Sequence, residues 1–137
     1  MTQEQRTFIV LVVEDSPADI MLVRRAVRRC QYSIDLNTVP DGEKALAFMR
    51  REKEYYCAPP VDLVLLDINL PGRSGREILE EIKADPVLVT TPVVILTSSS
   101  LPSDVKGMYA RHASSYLVKP ATPQAFDKLF GSFGDYW

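Results

Sequence analysis

The chain has 137 residues, 46% hydrophobic and 25% charged, with a formal net charge of −2. That is enough to bury the core of one soluble domain. The slightly acidic balance argues against nucleic-acid binding through bulk charge, and no apolar run reaches the length of a membrane span. Cys30 and Cys57 stand far apart, with no Cys/His cluster, and no signal peptide is expected. Both are expected to be reduced packing residues of a cytoplasmic protein.

Residues 8–13, FIVLVV, are a continuous β-branched apolar run ending in Glu14-Asp15. Ser16-Pro17 then reads as a cap with proline at the first helical position, predicting a helix to about Arg29. Ile20, Val23, Val27 and Cys30 fall on one side of it, and Arg24, Arg25, Arg28 and Arg29 on the other, as a solvated face. Residues 32–39 alternate weakly, as in an edge strand. Asp41-Gly42 turns the chain into a second helix over 43–51, carrying Ala45, Leu46, Phe48 and Met49. A polar and aromatic connection, 52–60, leads to Val61-Asp62-Leu63-Val64-Leu65-Leu66-Asp67. Four consecutive aliphatics without alternation suit a strand buried on both faces, and Pro71 follows too soon for a helix.

A third helix opens at Ser74 or Gly75, carries Ile78, Leu79 and Ile82, and stops at Asp85-Pro86. Residues 92–96 form a fourth strand ending in Thr97-Ser98-Ser99-Ser100. A fourth helix is predicted over 102–111 and a short fifth strand over 115–118, ending at Lys119-Pro120. Thr122-Pro123 starts a last helix with Phe126, Leu129 and Phe130. The aromatic tail, 131–137, is expected to pack back onto the body or to make a homodimer contact. His112 has no partner at ligand spacing and is read as structural or exposed. Five βα units predict an open parallel sheet with right-handed crossovers, in one domain spanning 1–137 with its core over 7–130.

In such a sheet every strand's carboxyl end meets one edge, where open α/β folds place their ligands. Glu14 and Asp15, Asp67, Thr97 and Lys119 are all delivered there. Three close carboxylates repel unless a cation or protons intervene. A hard cation such as Mg²⁺, which takes few carboxylates and keeps waters for an anionic substrate, fits the set. Lys119 adds a second positive charge beside a transferring phosphoryl group.

These residues, in this order at these element ends, resemble the receiver domain of two-component response regulators. The resemblance covers about residues 7–130. It implies the CheY-like, flavodoxin-like fold: an open five-stranded parallel sheet in the order 2-1-3-4-5 with helices on both faces. It further implies that Asp67 takes a phosphoryl group from a phosphohistidine of a sensor histidine kinase. Asp15 would ligate Mg²⁺ directly, Glu14 directly or through water, and Asn69 through its backbone carbonyl. Thr97 and Lys119 would meet phosphoryl oxygens, Tyr116 would be the rotameric switch, and the Lys119-Pro120 bond would be cis. The arginines of the first helix gain a sharper reading as a docking contact for the kinase. The segment 67–88 and the Thr97-Ser98-Ser99 run resemble the stand-alone regulators that partner phytochrome-type kinases. Output would then pass through contacts with a downstream protein or phosphotransfer partner, without nucleic acid or membrane. The expected enzymology is limited to slow self-dephosphorylation.

Three rival readings are weaker. A haloacid-dehalogenase-type phosphatase needs a second aspartate two residues after its nucleophile, where this chain has Asn69. A flavin or nucleotide binder needs a phosphate cradle after the first strand, where Glu14-Asp15 would repel phosphate. A non-phosphorylated pseudo-receiver would normally lack a signature residue, and all are present.

Overall fold

The computed structural model describes residues 7–30, 32–68, 70–97, 115–119 and 122–136, with backbone alone at 97, 115–118 and 132–136. The strands are β1 (Phe8–Val13), β2 (Ile34–Val39), β3 (Leu63–Leu66), β4 (Val93–Thr97) and β5 (Ser115–Val118). All pair in parallel, side by side in the order β2-β1-β3-β4-β5. The described helices are α1 (Pro17–Arg29), α2 (Gly42–Arg50), α3 (Gly75–Ala84) and α4 (Pro123–Tyr136), with a 3-10 turn at Lys53–Tyr55.

The period-2 alternation of strand side chains divides the core into two layers. Leu11, Val13, Val64, Leu66, Val93 and Ile95 point to one face, where α2 and α3 cover them with Ala45, Leu46, Phe48, Ile78, Leu79 and Ile82. Val10, Val12, Leu63, Leu65, Val94 and Leu96 point to the other, against Val23 and Ala26 of α1 and Phe126 and Phe130 of α4. β3 lies between β1 and β4 and is covered on both sides, so all four of its residues are buried. Each contributes about 2 kcal/mol of apolar burial. That is why its sequence shows no polar alternation.

Helix starts are fixed by side-chain caps. The Ser16, Asp41 and Ser74 side chains accept from the N–H groups of Asp19, Lys44 and Glu77 respectively. Each cap is worth about 1 kcal/mol, and each brings a helix N-terminus to the edge where the strands end. A Cβ on Gly42 would collide with the Ile78 side chain, so the absence of one lets α2 and α3 pack closely.

Several sequence expectations need correction. β2 begins at Ile34 rather than residue 32. Cys57 is exposed, not packed. The arginines of α1 are not simply solvated: Arg25 and Arg29 pair with Asp127 of α4, at 3.5 and 3.1 Å, and Arg24 donates to the Thr38 hydroxyl. The last helix continues through Gly131 and Gly134 to Tyr136, so most of the expected tail is helix. The helix expected over 102–111, His112 and the Lys119-Pro120 bond lie outside the described residues. Among those described, no helix is long and apolar enough to cross a membrane.

Candidate functional site

β1 and β3 each run one hydrogen bond beyond their last strand residue. Glu14 N–H donates to the Val39 carbonyl at 3.0 Å, and Asp67 N–H to the Val13 carbonyl at 3.1 Å. This ladder sets the two carboxylates side by side at the sheet's carboxyl edge. Among the described residues these two are the buried charged ones, at 4% and 6% exposure for the whole residue. Asp15, next along the chain, is exposed. Glu14, Asp15 and Asp67 each offer an oxygen, and these oxygens all lie within 4.8 Å of one another.

The backbone under Asp67 is held from α3. Gly75 N–H donates to the Ile68 carbonyl at 3.1 Å. A Cβ on Gly75 would stand 2.5 Å from the Asp67 carbonyl oxygen and 2.8 Å from Ile68 Cα. Only glycine permits α3 to start this close to the loop that carries the carboxylate.

Lys119 closes the site from the end of β5. Its Nζ donates to Glu14 Oε2 at 2.6 Å, to Asp19 Oδ2 at 2.8 Å and to Asp67 Oδ2 at 3.3 Å. Burial works against the ammonium, but the hydrogen bonds to Asp19 and Glu14 and the Asp67 charge outweigh it, so its pKa is held above the ordinary lysine range. Glu14 behaves differently. Burial raises its carboxyl pKa, and the neighbouring Asp67 charge adds to the rise. Hydrogen bonds from Lys119 and from the Ser16 N–H pull it down without cancelling that rise. The cleft is lined by these four groups together with apolar Val23, Leu96 and Phe126.

Of the residues singled out from sequence, Glu14, Asp15, Asp67 and Lys119 are brought together. Asn69 and the side chains of Thr97 and Tyr116 lie outside what is described. Asp19 is the addition. Its place in the first turn of α1 keeps it at the sheet's carboxyl edge, but nothing in the sequence pairs it with Lys119. The donor set is all oxygen and carries more negative charge than one lysine neutralises, so it fits a hard divalent cation that retains water ligands.

A model of the response regulator receiver domain matches residues 10–130. The chain belongs to the response regulator receiver domain family. Receiver domains are two-component signalling proteins rather than classical enzymes; they interact with histidine kinases and bind a divalent metal in an acidic pocket, and the Glu14, Asp15 and Asp67 cluster fits such a pocket. Response regulator Rcp1 of Synechocystis sp. is 38% identical over 129 residues, covering 94% of this chain and 88% of that protein. The crystal structure of the phosphorylated cyanobacterial phytochrome response regulator RcpA superposes with a TM-score of 0.89 at 37% identity, over 96% of this chain and 94% of that one. The Mn²⁺-bound form of Rcp1 superposes at 0.86 with 38% identity, over 95% and 94%.

Proposed function

We propose that this receiver is a single-domain cytoplasmic phosphoacceptor that takes a phosphoryl group on Asp67 from a phytochrome-type sensor histidine kinase, in a Mg²⁺-dependent reaction. The observation that carries the reading is the Asp67 carboxylate, buried at the end of β3 with Glu14 and Asp15 oxygens within 4.8 Å and the Lys119 ammonium at 3.3 Å. The likeness to the phosphorylated cyanobacterial phytochrome response regulator RcpA supports the choice of donor.

In this scheme an Asp67 Oδ–P bond forms as the N–P bond of a phosphohistidine breaks, and the histidine leaves with the electron pair. Asp67 is the nucleophile. Asp15, Asp67 and the Asn69 carbonyl would hold Mg²⁺, with Glu14 contributing directly or through water. Bound there, the ion would supply charge neutralisation for the transferring phosphoryl group. Lys119 has an N–H directed at Asp67 and would turn it to a phosphoryl oxygen, with Thr97 meeting another. Tyr116 would relay the change to the surface, where a downstream protein or a second copy of the chain reads it. Water would later release the phosphate slowly.

Incubation with acetyl phosphate, with and without Mg²⁺, followed by intact mass measurement tests this. The wild type should gain one phosphoryl group only with Mg²⁺, and Asp67→Asn should gain none. Mg²⁺ binding with no adduct would instead favour an interaction module that is never phosphorylated.

A further inference from the structure

Asp19 is the third carboxylate on Lys119, and nothing in the reading above gives it a role. An acidic residue in the first turn of a helix has an ordinary explanation: it favours the helix dipole or reaches back to the N-cap backbone N–H as half of a capping box. The second option is closed here, because the Ser16 N–H donates to Glu14 Oε1 at 3.1 Å. Asp19 keeps only its own backbone N–H on the Ser16 hydroxyl. Its carboxylate, 31% exposed, lies 2.8 Å from the Lys119 ammonium, across 100 residues of sequence.

An ammonium has three N–H donors, and those of Lys119 go to Glu14, Asp19 and Asp67. Two of these acceptors, Glu14 and Asp67, also belong to the trio of clustered oxygens that suits a divalent cation; Asp19 does not. A cation drawing on Glu14 and Asp67 therefore competes with Lys119 for their oxygens and leaves Asp19 as the uncontested anchor. We propose that Asp19 is a positioning residue that keeps Lys119 beside Asp67 when the metal site is filled, so that one N–H stays aimed where a phosphoryl oxygen arrives. This rests on the phosphoacceptor reading and deepens it. Asp19 touches neither the phosphoryl group nor the metal and acts through the lysine.

The test is beryllium fluoride binding in Mg²⁺, followed by ¹⁹F NMR, beside Mg²⁺ affinity by calorimetry and the rate of phosphorylation by acetyl phosphate. Asp19→Ala should weaken beryllium fluoride binding and slow phosphorylation by roughly tenfold, the scale of one coupled pair in a charged network, while Mg²⁺ affinity is unchanged. Asp19→Glu should recover part of the loss. In a Lys119→Met background Asp19→Ala should add nothing, an outcome that a purely structural role for Asp19 would not give. The proposal is overturned if Asp19→Ala matches the wild type, accelerates phosphorylation, or costs the same with Lys119 absent. If the wild type itself takes neither beryllium fluoride nor phosphoryl, the phosphoacceptor reading has failed and the proposal falls with it.

Discussion

Two clusters on this molecule set carboxylates against cations to opposite effect. On the outer face of α2 and α3, Arg50 meets Glu81 and Asp85 while Arg73 meets Glu43, Glu77 and Glu81. These side chains are 19–68% exposed. At the sheet edge, Lys119 meets Glu14, Asp19 and Asp67, and the lysine, Glu14 and Asp67 are 13, 5 and 7% exposed. The difference registers on two glutamates. Hydrogen bonding to Arg73 lowers the Glu81 pKa, whereas burial raises that of Glu14. On the surface, partners and water satisfy each carboxylate. At the edge, desolvation outruns the single ammonium, and the site is left with appetite for further positive charge. A cluster relaxed in its charges is structural; one held out of balance while buried is where binding chemistry sits.

The comparison is broken most directly at Lys119. In protein stripped of divalent ions, Lys119→Met leaves Glu14, Asp19 and Asp67 facing one another with no cation. Stability should fall by about 3 kcal/mol, as for other broken buried pairs. A saturating divalent cation should restore much of this by mass action and should bind the variant more tightly than the wild type, since no ammonium competes. Urea denaturation in EDTA and in Mg²⁺ reads both effects. An equal loss in the two conditions would make this cluster structural, like the one on α2 and α3.

Glycines sharpen the contrast at somewhat smaller cost. Gly75→Ala and Gly42→Ala both force a methyl group into occupied space, which costs about 1–3 kcal/mol each. At Gly42 the obstacle is the Ile78 side chain; at Gly75 it is the backbone of Asp67 and Ile68. Both variants should lose stability, but only Gly75→Ala should also slow acetyl phosphate labelling, because only there does the displaced backbone carry the acceptor.

What was legible in the sequence follows from how local each feature is. β3 could be read because burial on both faces leaves four aliphatics in a row, and Asp67 because a buried strand fixes where its last residue emerges. Glu14 and Lys119 followed by the same logic of strand ends. Asp19 could not be assigned, since its orientation depends on Glu14 taking the Ser16 N–H and on β5 arriving from 100 residues away. The same holds for Arg25 and Arg29, whose partner Asp127 is supplied by the packing of α1 on α4. Cys57 looked like a core residue because composition ranks cysteine as buried, while its actual place follows the path of the connection after α2. Side-chain partners set by tertiary packing leave no periodic trace in the sequence.

The smallest effect, and the one most specific to the comparison, is a difference of sign with pH. Asp85 accepts from the Val87 and Leu88 N–H groups and from Arg50. Those bonds, the one from Val87 foremost, hold its folded pKa below 3.8. Its contribution is thus complete above 3.8 and disappears as pH falls through the lower folded value. Asp85→Asn should be less stable than the wild type at pH 7, with the gap in urea midpoints closing as pH is taken below 3.8. Glu14 runs the other way. Its folded pKa is raised above 4.5, so whatever it contributes without metal is present below 4.5 and lost as pH rises through the folded value. In EDTA, Glu14→Gln, which resembles the protonated acid, should gain on the wild type as pH climbs from 4 to 7. Opposite slopes from two carboxylates of one small domain would separate the group that holds the fold together from the group kept ready for a cation.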